Sequence, residues 1–149
     1  MEETEKIVDL NGEFRFKIDA KGRMSLPATF RKVLPTNLVV TRNIEDECLY
    51  VFEEPEFNAW VVRVLEKALG PYDDTSRKHI GYRRKMKARA RNVEIDNSGR
   101  IMLNAEQREA VGIDKDVVIV GNTGYFEVWD AASYDEMDAD IDLGSLIHA

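Results

Sequence analysis

The chain contains a second copy of itself, and that constrains the fold more than any other feature. Asp19-Ala-Lys-Gly-Arg-Met-Ser-Leu-Pro-Ala returns 77 residues later as Asp96-Asn-Ser-Gly-Arg-Ile-Met-Leu-Asn-Ala. At this offset Asp19, Gly22, Arg23, Leu26, Ala28 and Arg31 meet Asp96, Gly99, Arg100, Leu103, Ala105 and Arg108, six identities in thirteen positions. Further on, Leu49-Tyr-Val-Phe-Glu faces Phe126-Glu-Val-Trp-Asp, and Phe57 faces Tyr134. Between them, Leu38-Val-Val-Thr corresponds to Val117-Val-Ile-Val after a two-residue insertion.

Both copies carry the same local signals. Phe14-Arg-Phe-Lys-Ile18 alternates apolar and polar side chains, as does Val93-Glu-Ile95, and period-two alternation predicts a half-buried strand. Each is followed by a turn with Asp and Gly, where Gly22 and Gly99 can adopt positive φ without a Cβ clash. Short strands at 23–26 and 100–103 lead to short helices. One opens with Pro27 in the first helical turn, the other with Asn104 as N-cap. The units close with strands at 37–41 and 48–52, and at 117–121 and 125–129, the latter pair joined by the turn sequence Asn122-Thr-Gly124.

Helices follow each unit. Phe57, Trp60, Val61, Val64, Leu65 and Ala68 recur at three- and four-residue spacing, and Gly70-Pro71 ends the run. A second helix is expected from Thr75 to about Ala90, a third from Ala131 to Met137, and fraying from Asp138 onward. Trp129 is expected in the core, and Phe57 and Trp60 in the core or a subunit interface.

A unit of four short strands and one small helix buries too little surface to fold alone. The expected fold is therefore α+β: two ββαββ units interleaved as one pseudo-two-fold β-barrel. It is read as one domain, with repeats at about 13–57 and 90–134, a helical link at about 56–90, and acidic termini at 1–10 and 138–149.

Charge is unevenly spread. The chain totals −7, yet the stretch from Arg77 to Arg100 holds nine basic residues against Glu94 and Asp96. From Asp130 onward there are six acids and no Lys or Arg. A basic middle with acidic ends is compatible with a nucleic-acid partner, since local distribution matters more than the sum.

Enzyme chemistry finds little support. His79 and His148 stand in no nucleophile–base pattern, and neither a phosphate-binding loop nor a dinucleotide fingerprint is present. The lone Cys48 cannot form an internal disulfide or a multi-thiolate metal site. No cofactor, metal or small-molecule substrate is expected. No apolar stretch is long enough to span a bilayer, the start lacks a secretory pattern, and a cytoplasmic location follows.

The paired Asp-x-x-Gly-Arg turns, together with Leu49-Tyr-Val-Phe and Phe126-Glu-Val-Trp, resemble the MraZ family from about Gly12 to Tyr134. The resemblance implies an AbrB-like swapped-hairpin fold, with one chain supplying both halves of a pseudo-dimer. It also implies ring assembly, binding to direct repeats in double-stranded DNA, and regulation of the division and cell-wall gene cluster, hence a nucleoid-associated protein. The family's Asp-x-x-x-Arg motif carries DNA contact, and it maps onto Asp19 with Arg23 and Asp96 with Arg100. The chain departs from the family pattern in its acidic N-terminal extension, in Asn104 where Pro27 would repeat, and in the basic run from Arg83 to Arg91.

Arg23 and Arg100 are thus the leading DNA-binding candidates. A guanidinium is a planar fork of donors suited to phosphate oxygens or a guanine edge. The competing structural role is pairing of each arginine with its own motif's Asp. Lys21 at the turn is a candidate phosphate contact, while its counterpart Ser98 has no charge. Arg31 and Arg15 are weaker candidates, with Lys17, and a solvated strand or helix face is the preferred reading for each. Asp19, Asp96, Gly22 and Gly99 are expected to shape the motif. The run from Arg83 to Arg91 is either a phosphate-tracking helix or a solvated or inter-subunit face. The alternative to DNA binding is an antitoxin-like protein-interaction module on the same scaffold.

Overall fold

The computed structural model describes residues 8–148. Most of the acidic N-terminal stretch (1–7), and residue 149, lie outside the described residues. The first repeat comprises β1 (Glu13–Lys17), β2 (Arg23–Ser25), α1 (Ala28–Arg31), β3 (Asn37–Arg42) and β4 (Leu49–Phe52). Helices α2 (Glu54–Leu69) and α3 (Arg77–Ala88) follow. The second repeat comprises β5 (Arg91–Glu94), β6 (Arg100–Met102), α4 (Ala105–Ala110), β7 (Asp116–Gly121) and β8 (Tyr125–Asp130), and it leads into α5 (Ala131–Ala139) and α6 (Leu143–His148).

The strands interleave. Six of them form an antiparallel sheet in the order β1-β7-β8-β4-β3-β5, and β2 and β6 form a separate two-stranded ribbon. Exchanging the repeats reverses the sheet order onto itself, which places a pseudo-two-fold axis between β8 and β4. The register obeys it: Phe16 pairs with Val117 and its counterpart Val93 with Leu38. On the axis, equivalent residues face each other, Tyr50 opposite Glu127 in the sheet and Met24 opposite Ile101 in the ribbon.

The expected closed barrel does not form. β1 and β5 are edge strands of an open sheet, and the ribbon is a second sheet of its own. After β1 and β5 the Asp-Gly turns lead into β2 and β6, which pair with each other across 77 residues instead of extending the edges of the larger sheet.

The core lies between sheet, ribbon and short helices. Phe30 of α1 is 1% exposed and packs edge-on to Phe14 at 5.4 Å and against Phe126 at 5.3 Å. Replacing such a side chain with Ala costs about 3–5 kcal/mol. Phe30 therefore ties α1, and with it Arg31, to the sheet. Its counterpart in α4 is Gln107, which is also buried. The Gln107 amide donates to the carbonyls of Val40 at 2.8 Å and Arg89 at 3.1 Å, so α4 is held by hydrogen bonds instead.

Outside the repeats, Phe57, Val61 and Leu65 on one face of α2 pack with Val39 and Phe52. Trp129 and Tyr134 pack with Cys48 and Val118 under α5. Two local expectations need correction, at Pro27 and in the tail, while the N-cap at Asn104 forms as expected. Pro27 occupies the N-cap, with ψ 139°, so the helix starts at Ala28. Asn104 is the N-cap of α4, accepting from the Gln107 amide at 3.1 Å. In the tail, where fraying is expected from Asp138 onward, α5 runs to Ala139 and α6 spans Leu143–His148.

Candidate nucleic-acid interface

Each motif builds the same backbone turn. Asp19 Oδ1 accepts the amides of Lys21 and Arg23, both at 2.9 Å, and Asp96 Oδ1 accepts those of Ser98 at 2.8 Å and Arg100 at 2.9 Å. An aspartate bonding the backbone two residues on is what makes this residue type suit the turn. The main chain closes it, with Gly22 N donating to Asp19 O at 3.0 Å and Gly99 N to Asp96 O at 2.9 Å. Both glycines have positive φ, 89° and 77°.

These bonds favour the ionised carboxylates. The Arg23 amide, then the Arg23 side chain and the Lys21 amide, hold Asp19 down to about 2, against the partial opposition of desolvation. The Arg100 and Ser98 amides lower Asp96 as well.

The ribbon brings the two motifs together. Leu26 N donates to Gly99 O at 3.0 Å, and Leu103 N donates to Gly22 O at 2.8 Å, so each strand ends against the other repeat's turn. Arg23 Nε donates to Asp19 Oδ2 at 2.7 Å, and Arg100 Nη1 stands 3.8 Å from the same oxygen. One carboxylate oxygen thus lies between both motif guanidiniums. Both arginines are about one-third exposed. The Nη groups of Arg23 make no hydrogen bond among the described residues. Arg100 Nε is 3.4 Å from Asp96 Oδ2 without a satisfied hydrogen bond.

Two more arginines flank this ribbon. The space a Cβ on Gly22 would occupy is within 2.9 Å of Arg108 Nη2, and on Gly99 the same space is filled by the Arg31 side chain. Each repeat's helix therefore lays its arginine over the other repeat's turn. Arg108 anchors its own with a 3.2 Å bond from Nε to Leu103 O. Arg108 is not among the candidates named from the sequence, although the 77-residue offset to Arg31 points to it.

The remaining candidates are placed differently. Lys21 is exposed at the tip of the first turn. Arg15 projects from edge strand β1 to Asp135 of α5, at 2.6 Å, with Glu13 at 3.5 Å, and Lys17 lies 3.7 Å from Asp116. The bond to Asp135 raises the Arg15 pKa further. Arg15 thus has partners of its own, away from the two motif arginines.

Much of the basic run is also occupied. Arg83 contacts Tyr72 and Asp74, Lys87 donates to Asn58 at 2.6 Å, and Arg89 holds Asp46 at 2.8 Å. Arg91 bonds the carbonyls of Ala88 and Ala90. Among the described residues there is no cluster of His, Cys, Asp and Glu able to hold a metal ion. None of the described helices is long and apolar enough to cross a membrane.

Comparison with known proteins agrees with the two-repeat organisation. The family model described as "MraZ protein, putative antitoxin-like" matches residues 10–70 and 86–148, one stretch for each repeat. "Transcriptional regulator MraZ" of Natranaerobius thermophilus is 36% identical over 124 residues, covering 83% of this chain and 82% of the relative. The protein of the same name from Symbiobacterium thermophilum is 39% identical over 125 residues, 84% of this chain and 86% of the relative. That from Verminephrobacter eiseniae is 33% identical over 139 residues, 91% and 92% of the two chains. The chain belongs to the MraZ family.

Proposed function

We propose that this chain is a sequence-specific DNA-binding transcriptional regulator whose paired turns, brought together on the β2–β6 ribbon, meet DNA. The observation that carries this reading is the position of Asp19 Oδ2 between the guanidiniums of Arg23 and Arg100. Held by a carboxylate on one side, a guanidinium keeps its remaining donors oriented outward for phosphate or a base edge. Lys21 adds a phosphate contact at the first turn, and Arg31 and Arg108 raise the positive potential around both. Arg15, paired with Asp135, is a secondary contact at most. The relatives' name, transcriptional regulator, supports the role. No catalytic step is assigned to any residue.

The resemblance extends the proposal to a ring of copies bound to direct repeats in the promoter of the division and cell-wall gene cluster, in the nucleoid. A subunit neutralising few phosphates binds weakly and loses affinity steeply with salt, with a log–log slope of about −0.9 per phosphate. Joining several subunits on tandem sites raises apparent affinity by about 10²–10⁴.

The test is binding to a fragment bearing tandem promoter repeats across a salt series, with Arg23→Ala and Arg100→Ala as variants. Each substitution is expected to cost about 1–3 kcal/mol if the arginine reads a base, with the fold and assembly unchanged. Unchanged affinity in both variants would remove the motif arginines from the interface and leave the basic helix α3. The antitoxin-like wording of the family description favours a second reading, a protein-interaction module. Failure of the unaltered chain to bind DNA at any salt concentration would put that reading first.

A further inference from the structure

The two ends of the sheet carry different helices. α2 and α3 lie at the β3–β5 end, with α2 packed on β3 and β4. α5 lies at the opposite end, against β7 and β8, and leads to α6. On α6, Leu143, Leu146 and Ile147 stand at i, i+3 and i+4, one face of a helix, and are 77–79% exposed. A six-residue helix with its apolar face in water has little stability alone. Asp138, Asp140 and Asp142 precede this face.

The other end presents the complement. Between α2 and α3 lies a groove of about 420 Å³, its floor apolar with Val64, Leu69 and the exposed side chains of Ile44 and Tyr82. Lys78 and Lys85 line its rim and make no ion pair among the described residues. An apolar helix face preceded by aspartates and an apolar groove edged by lysines match in both polarity and charge.

The geometry points to docking of α6 of one copy into the groove between α2 and α3 of a second copy, with the tail aspartates against Lys78 and Lys85. This rests on the assembly proposed above and gives it a contact. Tail and groove are different surfaces of the chain, so the contact is head-to-tail. Such interfaces close into rings when the rotation per subunit permits.

Cross-linking of the full-length chain tests it. Cys48 is fully buried, and burial pushes its thiol pKa up, so an introduced cysteine supplies the accessible thiol. Leu146→Cys and Ala68→Cys variants, mixed and oxidised, are expected to give a disulfide-linked dimer containing one of each. Lys78→Glu with Lys85→Glu on the groove-bearing chain should abolish it, and Asp140→Lys with Asp142→Lys on the tail-bearing chain should restore it. Two results would overturn the contact while leaving assembly standing: a chain that assembles without this product, or dimers of Leu146→Cys with itself in its place. A chain that stays monomeric in sedimentation would overturn both the contact and the assembly, whereas DNA binding by the single subunit is measured separately and stands or falls on its own.

Discussion

In the first turn, Asp19 Oδ2 receives its own arginine at 2.7 Å; in the second, Asp96 Oδ2 stands 3.4 Å from Arg100, whose other end reaches towards Asp19. The backbones nevertheless match almost bond for bond. Turn shape is therefore set by the Asp and Gly of each motif, while the side-chain pairing is set by what the other repeat brings alongside. Asp19 bonds Arg23 and stands within ion-pair reach of Arg100, whose nearer carboxylate is its own Asp96. The same contrast holds behind the turns, where Phe30 packs and Gln107 hydrogen-bonds.

The glycines give the largest expected effect. Alanine at either position is strained by positive φ, at about 1–3 kcal/mol. At Gly22 the new methyl group also meets the Leu103 carbonyl at 3.1 Å, a main-chain atom that is itself held in the ribbon. At Gly99 it meets Arg31, an exposed side chain that can swing away. Urea denaturation should show Gly22→Ala as the more destabilised variant; equal losses would mean that the two turns are equally supported.

Acid titration is the next test. Both aspartates have depressed pKa values when folded, so their contribution is complete above the unfolded value, about 3.9. It is lost as pH falls through the folded value. For Asp19 that window runs from about pH 4 to about 2. Carboxylate NMR should find Asp19 titrating below Asp96, and Asp19→Asn should disturb the signals of both arginines while Asp96→Asn disturbs chiefly Arg100. A higher midpoint for Asp19 would reverse the assignment of the shared oxygen.

The smallest effect tests charge at the tips. Under the proposed function, Ser98→Lys should steepen the salt dependence of DNA binding by about 0.9 in log–log slope, one added phosphate contact. Lys21→Ser should flatten it by the same amount. If neither slope moves, the tips do not approach the backbone of the duplex.

The repeat, the two glycine turns and most strands were legible in the sequence because each rests on local chemistry: alternation, Asp and Gly. The open sheet was not, since closure depends on which strands pair over long separations, and no local pattern specifies that β2 meets β6. Arg15 illustrates the same limit, as its partner Asp135 is 120 residues away. Arg31 could be named from the repeat, but its place over the opposite turn follows from the crossing of the two units. The helical tail was not read, because Asp138, Asp140 and Asp142 point towards fraying, although Leu143, Leu146 and Ile147 stand at helical spacing.

The axis pairs carry a consequence for how such a molecule can diversify. Two identical chains related by a true two-fold would set each axis residue against its own copy, and a glutamate at position 127 would then face another glutamate, a destabilising like-charge pair. Here it faces Tyr50 instead, and its carboxylate is free to accept from the Trp129 indole at 2.7 Å and the Asn122 amide at 3.1 Å. Carrying both halves in one gene lets selection change one side of the axis without changing the other, a freedom closed to a homodimer of single units.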